Sequence, residues 1–257
     1  MARSARMSQA DETPLAETLP GLPAALAQDE ILLVWRPLLA ADGELARLRE
    51  TLTAEECAIA ARYHFAHDRV RSIVSRGTLR SVLGRLLEAR PEAVVLESSP
   101  HGKPVLRGGA LEFNVSHAGT HLLIGFVRGR ALGVDVEGGD RRLDVDELAP
   151  TVFTAGERAA LARYEGEAKR DAFLRGWTRK EAYLKARGVG LSLPLTDFSV
   201  SMDEAGAALS SHVDPAEAAR FVLMNLSAPP GYAAAICWAR APRAIRQIYL
   251  VTLTEVG

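Results

Sequence analysis

Apolar and polar positions alternate or recur with two different periods along this chain, and the elements follow from where the period changes. Ile31–Leu38, "ILLVWRPL", is a short β-rich run stopped at a proline and predicts the first ordered strand. "TAEECAIAARYHF" then predicts a helix, because Thr53 can cap the amide three residues on and Glu56 can reach back to close a capping box. A longer helix is predicted over about Asp68–Ala89, with Ile73, Leu79, Val82, Leu83 and Leu86 near helical period and Pro91 closing it. The following "HGKPVL", "LEFNVSHAG" and "HLLIGFVRGRALGVDVE" read as turn and strand. The last of them divides around Arg128, Gly129 and Arg130 as a hairpin.

The helical period then returns. "FTAGERAALARY" opens a helix with a second box, Thr154 to Glu157, and a long helix spans about Lys169–Arg187 with Gly188 placed for a left-handed cap. The runs "DFSV", "RFVLMNL", "GYAAAICWAR" and "AIRQIYLVTL" finish the chain as strands. "TAEECAIAARY" and "TAGERAALARY" agree at seven of eleven positions, starting 101 residues apart, and each precedes a longer helix holding an Arg-Gly pair, Arg76-Gly77 and Arg175-Gly176. An internal duplication with a boundary near Arg130 accounts for this, giving halves at 29–130 and 131–257, whose junction is the natural place for a cleft. Residues 1–28, polar and rich in Ala and Pro, are expected to be a disordered or loosely docked extension.

Composition narrows the function classes. In 257 residues, 48% hydrophobic and 25% charged, a formal net charge of −1 gives no general affinity for nucleic acid or a membrane surface, so any anion site is local. Two cysteines, Cys57 and Cys237, are too few for a disulfide framework or a thiolate zinc site and suit a reduced, cytoplasmic compartment. No apolar run approaches the roughly 20 residues that span a bilayer.

In "GVDVEGGD" the strand period turns Leu132, Val134 and Val136 one way and Gly133, Asp135 and Glu137 the other. Two carboxylates about 6 to 7 Å apart repel by roughly 2 to 3 kcal/mol at an effective dielectric of about 20, which calls for an answering cation. In "FLRGWTRKEAYLKARGVGLSLP", Phe173, Trp177, Lys180 and Leu184 share a helical stripe with Glu181 and Lys185 on its flank. Three carboxylates and a lysine form the inventory of a magnesium site that also holds phosphate. Further phosphate donors stand upstream in Lys103, Ser116, His117, Arg62, Arg69, Arg71 and Arg76. His117 and His121 lie in turn and strand, where their spacing does not suit a zinc pair, and Trp35, Trp177, Trp238 and Tyr183 read as packing residues.

"HGKPVL", "FNVSHAG", "GVDVE" and "WTRKEAYLKARGVGLSLP", in that order and spacing, resemble the Sfp-type 4'-phosphopantetheinyl transferases over roughly residues 30 to 240. The resemblance implies an α+β fold of two similar α/β halves packed as an intramolecular pseudo-dimer, monomeric, with coenzyme A between the halves. It implies Mg2+-dependent transfer of 4'-phosphopantetheine from coenzyme A to a serine of an acyl or peptidyl carrier protein, with release of 3',5'-ADP. Asp135, Glu137 and Glu181 match the family's magnesium ligands, Glu181 doubling as candidate base, and Lys185 matches the lysine at the pyrophosphate. Lys103, Ser116 and His117 match contacts to the nucleotide end. The first helix offers only Arg62 where lysines would be sought for the 3'-phosphate, and Arg71 and Ser72 in the next helix match that role better. Arg141 and Arg142, in the segment after the acidic strand, are candidates for meeting an acidic carrier. A magnesium-dependent pyrophosphatase or phosphodiesterase, and a non-enzymatic carrier or coenzyme A binding module, are the rival readings.

Overall fold

The computed structural model describes residues 21–99, 102–138, 143–240 and 244–250. In the first half come β1 (Glu30–Pro37), α1 (Asp42–Glu50), α2 (Ala54–Ala61), α3 (Ala66–Leu86), β2 (Leu96–Ser98), β3 (Pro104–Leu106), β4 (Glu112–Ala118) and β5 (His121–Val127). The second half repeats the plan with β6 (Leu132–Gly138), α4 (Val145–Val152), α5 (Ala155–Leu161), α6 (Gly166–Arg187), β7 (Phe198–Val200), β8 (Leu209–Ser211), α7 (Pro215–Ala218), β9 (Phe221–Leu226) and β10 (Tyr232–Ala239). A last strand, β11 (Ala244–Tyr249), follows. The sheets run β11-β1-β5-β4 and β6-β10-β9, so the antiparallel orders β1-β5-β4 and β6-β10-β9 correspond strand for strand. Each half also carries a small antiparallel pair after its long helix, β2-β3 and β7-β8. Strand β11 has no counterpart: it leaves the second half and pairs in parallel with β1.

Both boxes form as expected. Thr53 accepts the Glu56 amide while Glu56 accepts the Thr53 amide, and Thr154 and Glu157 do the same. The two glutamates then reach buried cations on the long helices, Arg80 at 2.5 Å and Lys180 at 2.7 Å. Gly188 caps α6 at φ +65, where a side chain would strain the backbone.

Strand alternation builds the layers. Ile31, Leu33, Trp35, Leu123 and Val127 face Leu132, Val134, Val136, Ile236 and Trp238 in a core shared by the two sheets. Leu32, Val34, Ile124 and Phe126 point away from it toward Val74, Val82 and Leu83 of α3, and Ala235 and Cys237 point toward Ala182 and Tyr183 of α6. The result is helix, sheet, sheet, helix.

One expectation is corrected. The runs either side of Arg128-Gly129-Arg130 do not form a hairpin: β5 lies between β1 and β4, and β6 pairs with β10. Both edges of β5 are taken, so residues 128–131 carry the chain from one sheet to the other. Of the expected extension, residues 1–20 lie outside the described residues. In 21–28, Leu22 and Leu26 are buried in the first core, and Arg85 and Arg128 donate to the Leu22, Pro23 and Leu26 carbonyls. No helix among the described residues is long and apolar enough to cross a membrane.

Candidate active site

The two sheets meet where edge strand β4 runs beside edge strand β6, and side chains do the work of a ladder there. Asn114 Oδ1 accepts the Val134 amide at 2.9 Å, and Ser116 Oγ accepts the Val136 amide at 3.3 Å. Edge amides that would otherwise be buried without acceptors are thereby satisfied. The opposite face of β6 lies against α6 at Gly133, where a Cβ would stand 2.9 Å from the Lys185 carbonyl carbon and closer still to Ala182 O and Ala186 N. Absence of a side chain lets the helix lie directly on the strand, bringing Glu181 and Lys185 over Asp135.

Asp135 is buried, at 3% exposed. Its Oδ1 accepts from Ser116 Oγ at 2.9 Å and from Lys185 Nζ at 2.6 Å, while Lys185 Nζ also donates to Ser116 Oγ at 3.1 Å. The serine hydroxyl is thus fully used, giving one hydrogen bond and taking two. Asp135 Oδ2 is buried with no hydrogen-bond partner. Burial raises the Asp135 proton affinity, against the pull of Lys185, Ser116 and the Val136 amide. Glu181 is raised too, first by burial, then by the Asp135 charge, with Lys185 opposing. Glu137 follows on the same face of β6 and is half-buried. Among the described residues no three His, Cys, Asp or Glu side chains are gathered to enclose a metal ion.

Three cavities join into one groove. The first, about 360 Å³, is lined by Lys103, Pro104, Asn114, Val115, Glu181 and Lys185. A second, about 540 Å³, shares Pro104 and Val115 with it and adds Tyr63, Arg71, Ser72 and His117. The third, about 620 Å³, shares Arg71 and His117 and runs on to Thr120, Glu137, Arg170 and Tyr232. Residues of both halves therefore line the groove, as the duplication led one to expect.

The upstream donors separate. Arg71 and Ser72 of α3 stand with His117, whose proton affinity is lowered by burial, then by the Arg71 charge and finally by Lys185, with a backbone hydrogen bond opposing. Lys103 stands instead with Glu181, its Nζ directed to Leu132 O at 3.4 Å and Lys185 O at 3.5 Å. Burial lowers its proton affinity and Lys185 adds to this, with Glu112 opposing. Arg62 sits exposed at the C-terminal end of α2, where its neighbour Tyr63 lines the groove. Arg69 is spent on the Tyr63 and His64 carbonyls, and Arg76 pairs with Glu56 at 3.4 Å. Arg141 and Arg142 lie outside the described residues.

Sequence reasoning did not single out Asn114, whose acceptor role needs two sheets edge to edge, nor Thr120 and Tyr232. Glycines at 119, 138 and 231 with positive φ beside them were the available signal.

Comparison with known proteins defines the class. Sequence models described as "4'-phosphopantetheinyl transferase superfamily" and "4'-phosphopantetheinyl transferase, N-terminal" match residues 131–237 and 34–125. The chain is 37% identical to 4'-phosphopantetheinyl transferase HetI of Nostoc sp. over 172 residues, 65% of this chain and 72% of that protein. It is 28% identical to 4'-phosphopantetheinyl transferase psf-1 of Bacillus pumilus, over 81% of this chain and 88% of that one. It is 27% identical to 4'-phosphopantetheinyl transferase Sfp of Bacillus subtilis, over 86% and 96%. The chain belongs to the 4'-phosphopantetheinyl transferase superfamily as an Sfp-type member, and it is a transferase.

Proposed function

We propose that the protein transfers 4'-phosphopantetheine from coenzyme A to a serine hydroxyl of an acyl or peptidyl carrier protein, converting apo to holo carrier and releasing 3',5'-ADP. The observation that carries this is the buried Asp135-Ser116-Lys185 cluster under Glu181, opening into a groove that holds Arg71 and His117. Arg71, Ser72 and His117 would take the 3'-phosphate end, with Lys103 toward the nucleotide and Arg62 at the rim, whereas Ser116, expected at the nucleotide, has its hydroxyl fully used in holding Asp135 and Lys185.

A divalent cation suits these residues. Asp135 Oδ2 is a buried acceptor lacking a donor, and Glu181 and Glu137 add hard oxygen ligands of the kind magnesium prefers. Asp135, Glu137 and Glu181 would hold Mg2+, which when bound supplies charge stabilisation on the phosphate oxygens.

The chain's own groups account for the remaining steps. The carrier serine oxygen forms a bond to the pantetheine-side phosphorus, and the bond from that phosphorus to the bridging oxygen breaks, leaving the electron pair on 3',5'-ADP. Glu181, lining the groove beside Lys185, would accept the serine proton. The Lys185 ammonium, on the same helix face one turn on, meets the charge that develops on the departing phosphate. Cytoplasmic location and a monomeric state complete the reading.

The test is to incubate the protein with coenzyme A, Mg2+ and an apo acyl carrier protein and to measure the carrier's intact mass. A gain of about 340 Da that vanishes without Mg2+ is the expected result. Release of 3',5'-ADP without carrier modification would point to hydrolysis instead.

A further inference from the structure

The outer side of α2, turned away from the first core, carries more apolar surface than the fold calls for. Ile59 is 44% exposed, and Tyr63 and Phe65 at the turn into α3 are 45% and 58% exposed. Phe65 is held in place: its ring meets His64 edge to face at 4.9 Å and stacks on His67 at 5.4 Å. The second half supplies an internal control. There the positions matching Glu55 and Ile59 are Gly156 and Ala160, and the residue capping the start of the long helix is Glu165 where the first half has Phe65. The same corner folds without the isoleucine and the aromatic ring, so those residues serve something other than the fold.

The charges around Ile59 say what would cover it. At 3.6 residues per turn, Glu55, Ala58, Ile59 and Arg62 fall within an arc of about 100° on the exposed side of α2. Glu56, one residue on, holds two arginines, whereas Glu55 and Arg62 make no ion pair among the described residues. Opposite charges thus bracket Ala58 and Ile59, about 10 Å apart along the helix axis. Turned end for end, this stripe is its own complement. Glu55 of one copy faces Arg62 of the other, and Ile59 of each enters the space over the other's Ala58. Self-complementarity of that kind is what a two-fold interface requires.

We propose that a second copy of this chain docks on this face, the two α2 helices antiparallel about an axis between Ala58 and Ile59, with Tyr63 and Phe65 closing over the ends. An eight-residue helix and a turn bury less than the roughly 1,200 Å² of a standard stable interface, so the association is weak and the chain is monomeric at dilution. The cluster around Asp135 lies within one chain, so this inference goes beyond the transfer reading and stands whether or not that reading holds.

The experiment is sedimentation velocity on the full chain from about 5 to 500 µM, a range suited to weak association, without coenzyme A or carrier. The readout is mass and not transfer, because Arg62 also borders the groove. Wild type should shift reversibly from monomer to dimer. Glu55→Arg and Arg62→Glu should each weaken association by at least about tenfold, since like charges then face each other twice. Mixing the two variants in equal amounts should restore it, because each supplies the charge the other lacks, a recovery specific to the antiparallel pairing. Near-ultraviolet circular dichroism matching wild type shows that the variants are folded; if one is not, Ile59→Lys replaces it and should likewise abolish the dimer. Wild type that stays monomeric throughout overturns the proposal, as does association that the substitutions leave intact or that the mixture fails to recover. Wild type that is monomeric alone but binds an apo acyl carrier protein, with Ile59→Lys abolishing that binding, gives the face to the carrier and equally overturns it.

Discussion

Substituting Gly133 by alanine tests whether the lie of α6 on β6 is what assembles the site. A methyl group there would sit 2.9 Å from the Lys185 carbonyl carbon and nearer still to Ala182 O and Ala186 N. These are backbone atoms mid-helix, which no rotamer change can move. Ordinary contact separations of about 3.5 Å return only if the helix retreats by roughly 1.5 Å. Such overpacking costs about 1–3 kcal/mol, and in a chain of this size each kcal/mol lowers Tm by about 2–4 °C. The same retreat would lengthen the Lys185–Asp135 pair from 2.6 Å and lift Glu181, so transfer should fall by about a hundredfold. Gly156→Ala is the matched control. That residue lies inside α5 with nothing within 4 Å of its Cβ position, so alanine should stabilise by up to about 1 kcal/mol and leave transfer unchanged. Urea melts and single-turnover transfer, run on both variants, decide the matter. A Gly133→Ala protein with wild-type stability and rate would refute the close-approach argument.

Further outcomes follow from the same geometry. Asp135→Asn should lower transfer by at least about a hundredfold while Tm holds or rises, because a costly buried charge is removed; calorimetry and the carrier mass assay check both halves. Lys180→Met should cost about 3–5 kcal/mol by stranding the Glu157 carboxylate and the Leu195 and Phe198 carbonyls. Adding Glu157→Gln should recover part of that loss in a double-mutant cycle read by urea titration. His117 has its proton affinity lowered in the fold, so the unfolded chain binds the proton more readily. Stability should therefore rise with pH between the folded value and about 6.5, and His117→Gln should lose that slope. Phosphate binding reverses the local field, so coenzyme A should take up protons at neutral pH, measured by titration in buffers of different ionisation enthalpy.

Local rules were legible where the residues that enforce them are near in sequence. Both boxes, the Gly188 cap and the facing of Asp135 away from Val134 and Val136 are set within a few positions, and all three are legible there. The partner of a strand is not set that way. Strand β6 finds β10, with Leu132 opposite Trp238, and nothing in "RGRALG" distinguishes that crossover from a tight hairpin. The buried cations were legible unequally. Lys180, held by Glu157, shares its stripe with Phe173, Trp177 and Leu184, whereas Arg179, held by Asn225, Ser201 and Asp203 and lowered to about 10 chiefly by burial, looks in sequence like any charged helical residue. One signal existed: each box glutamate is followed by a cation, 24 residues on at Arg80 and 23 at Lys180.

The duplication also explains why the two halves carry one assembled cluster between them and not two. Both long helices hold a box glutamate through a buried cation, so that device serves the fold in each half alike. The strand–helix contact differs. In the second half Gly133 admits the backbone of α6 onto β6, whereas in the first the close approach on α3 is to Leu48 of α1, through Gly77. The seam is also used unequally, since β4 offers Asn114 and Ser116 to β6 while the outer edge of β1 is taken by β11. An acidic strand with a helix on one face and a hydroxyl-bearing edge strand beside it arises at one place, from two elements of the second half and one of the first. Breaking the seam should therefore cost the site more than the fold. Asn114→Ala strands one amide, worth about 1–3 kcal/mol, yet loosens the strand that carries Ser116 against Asp135.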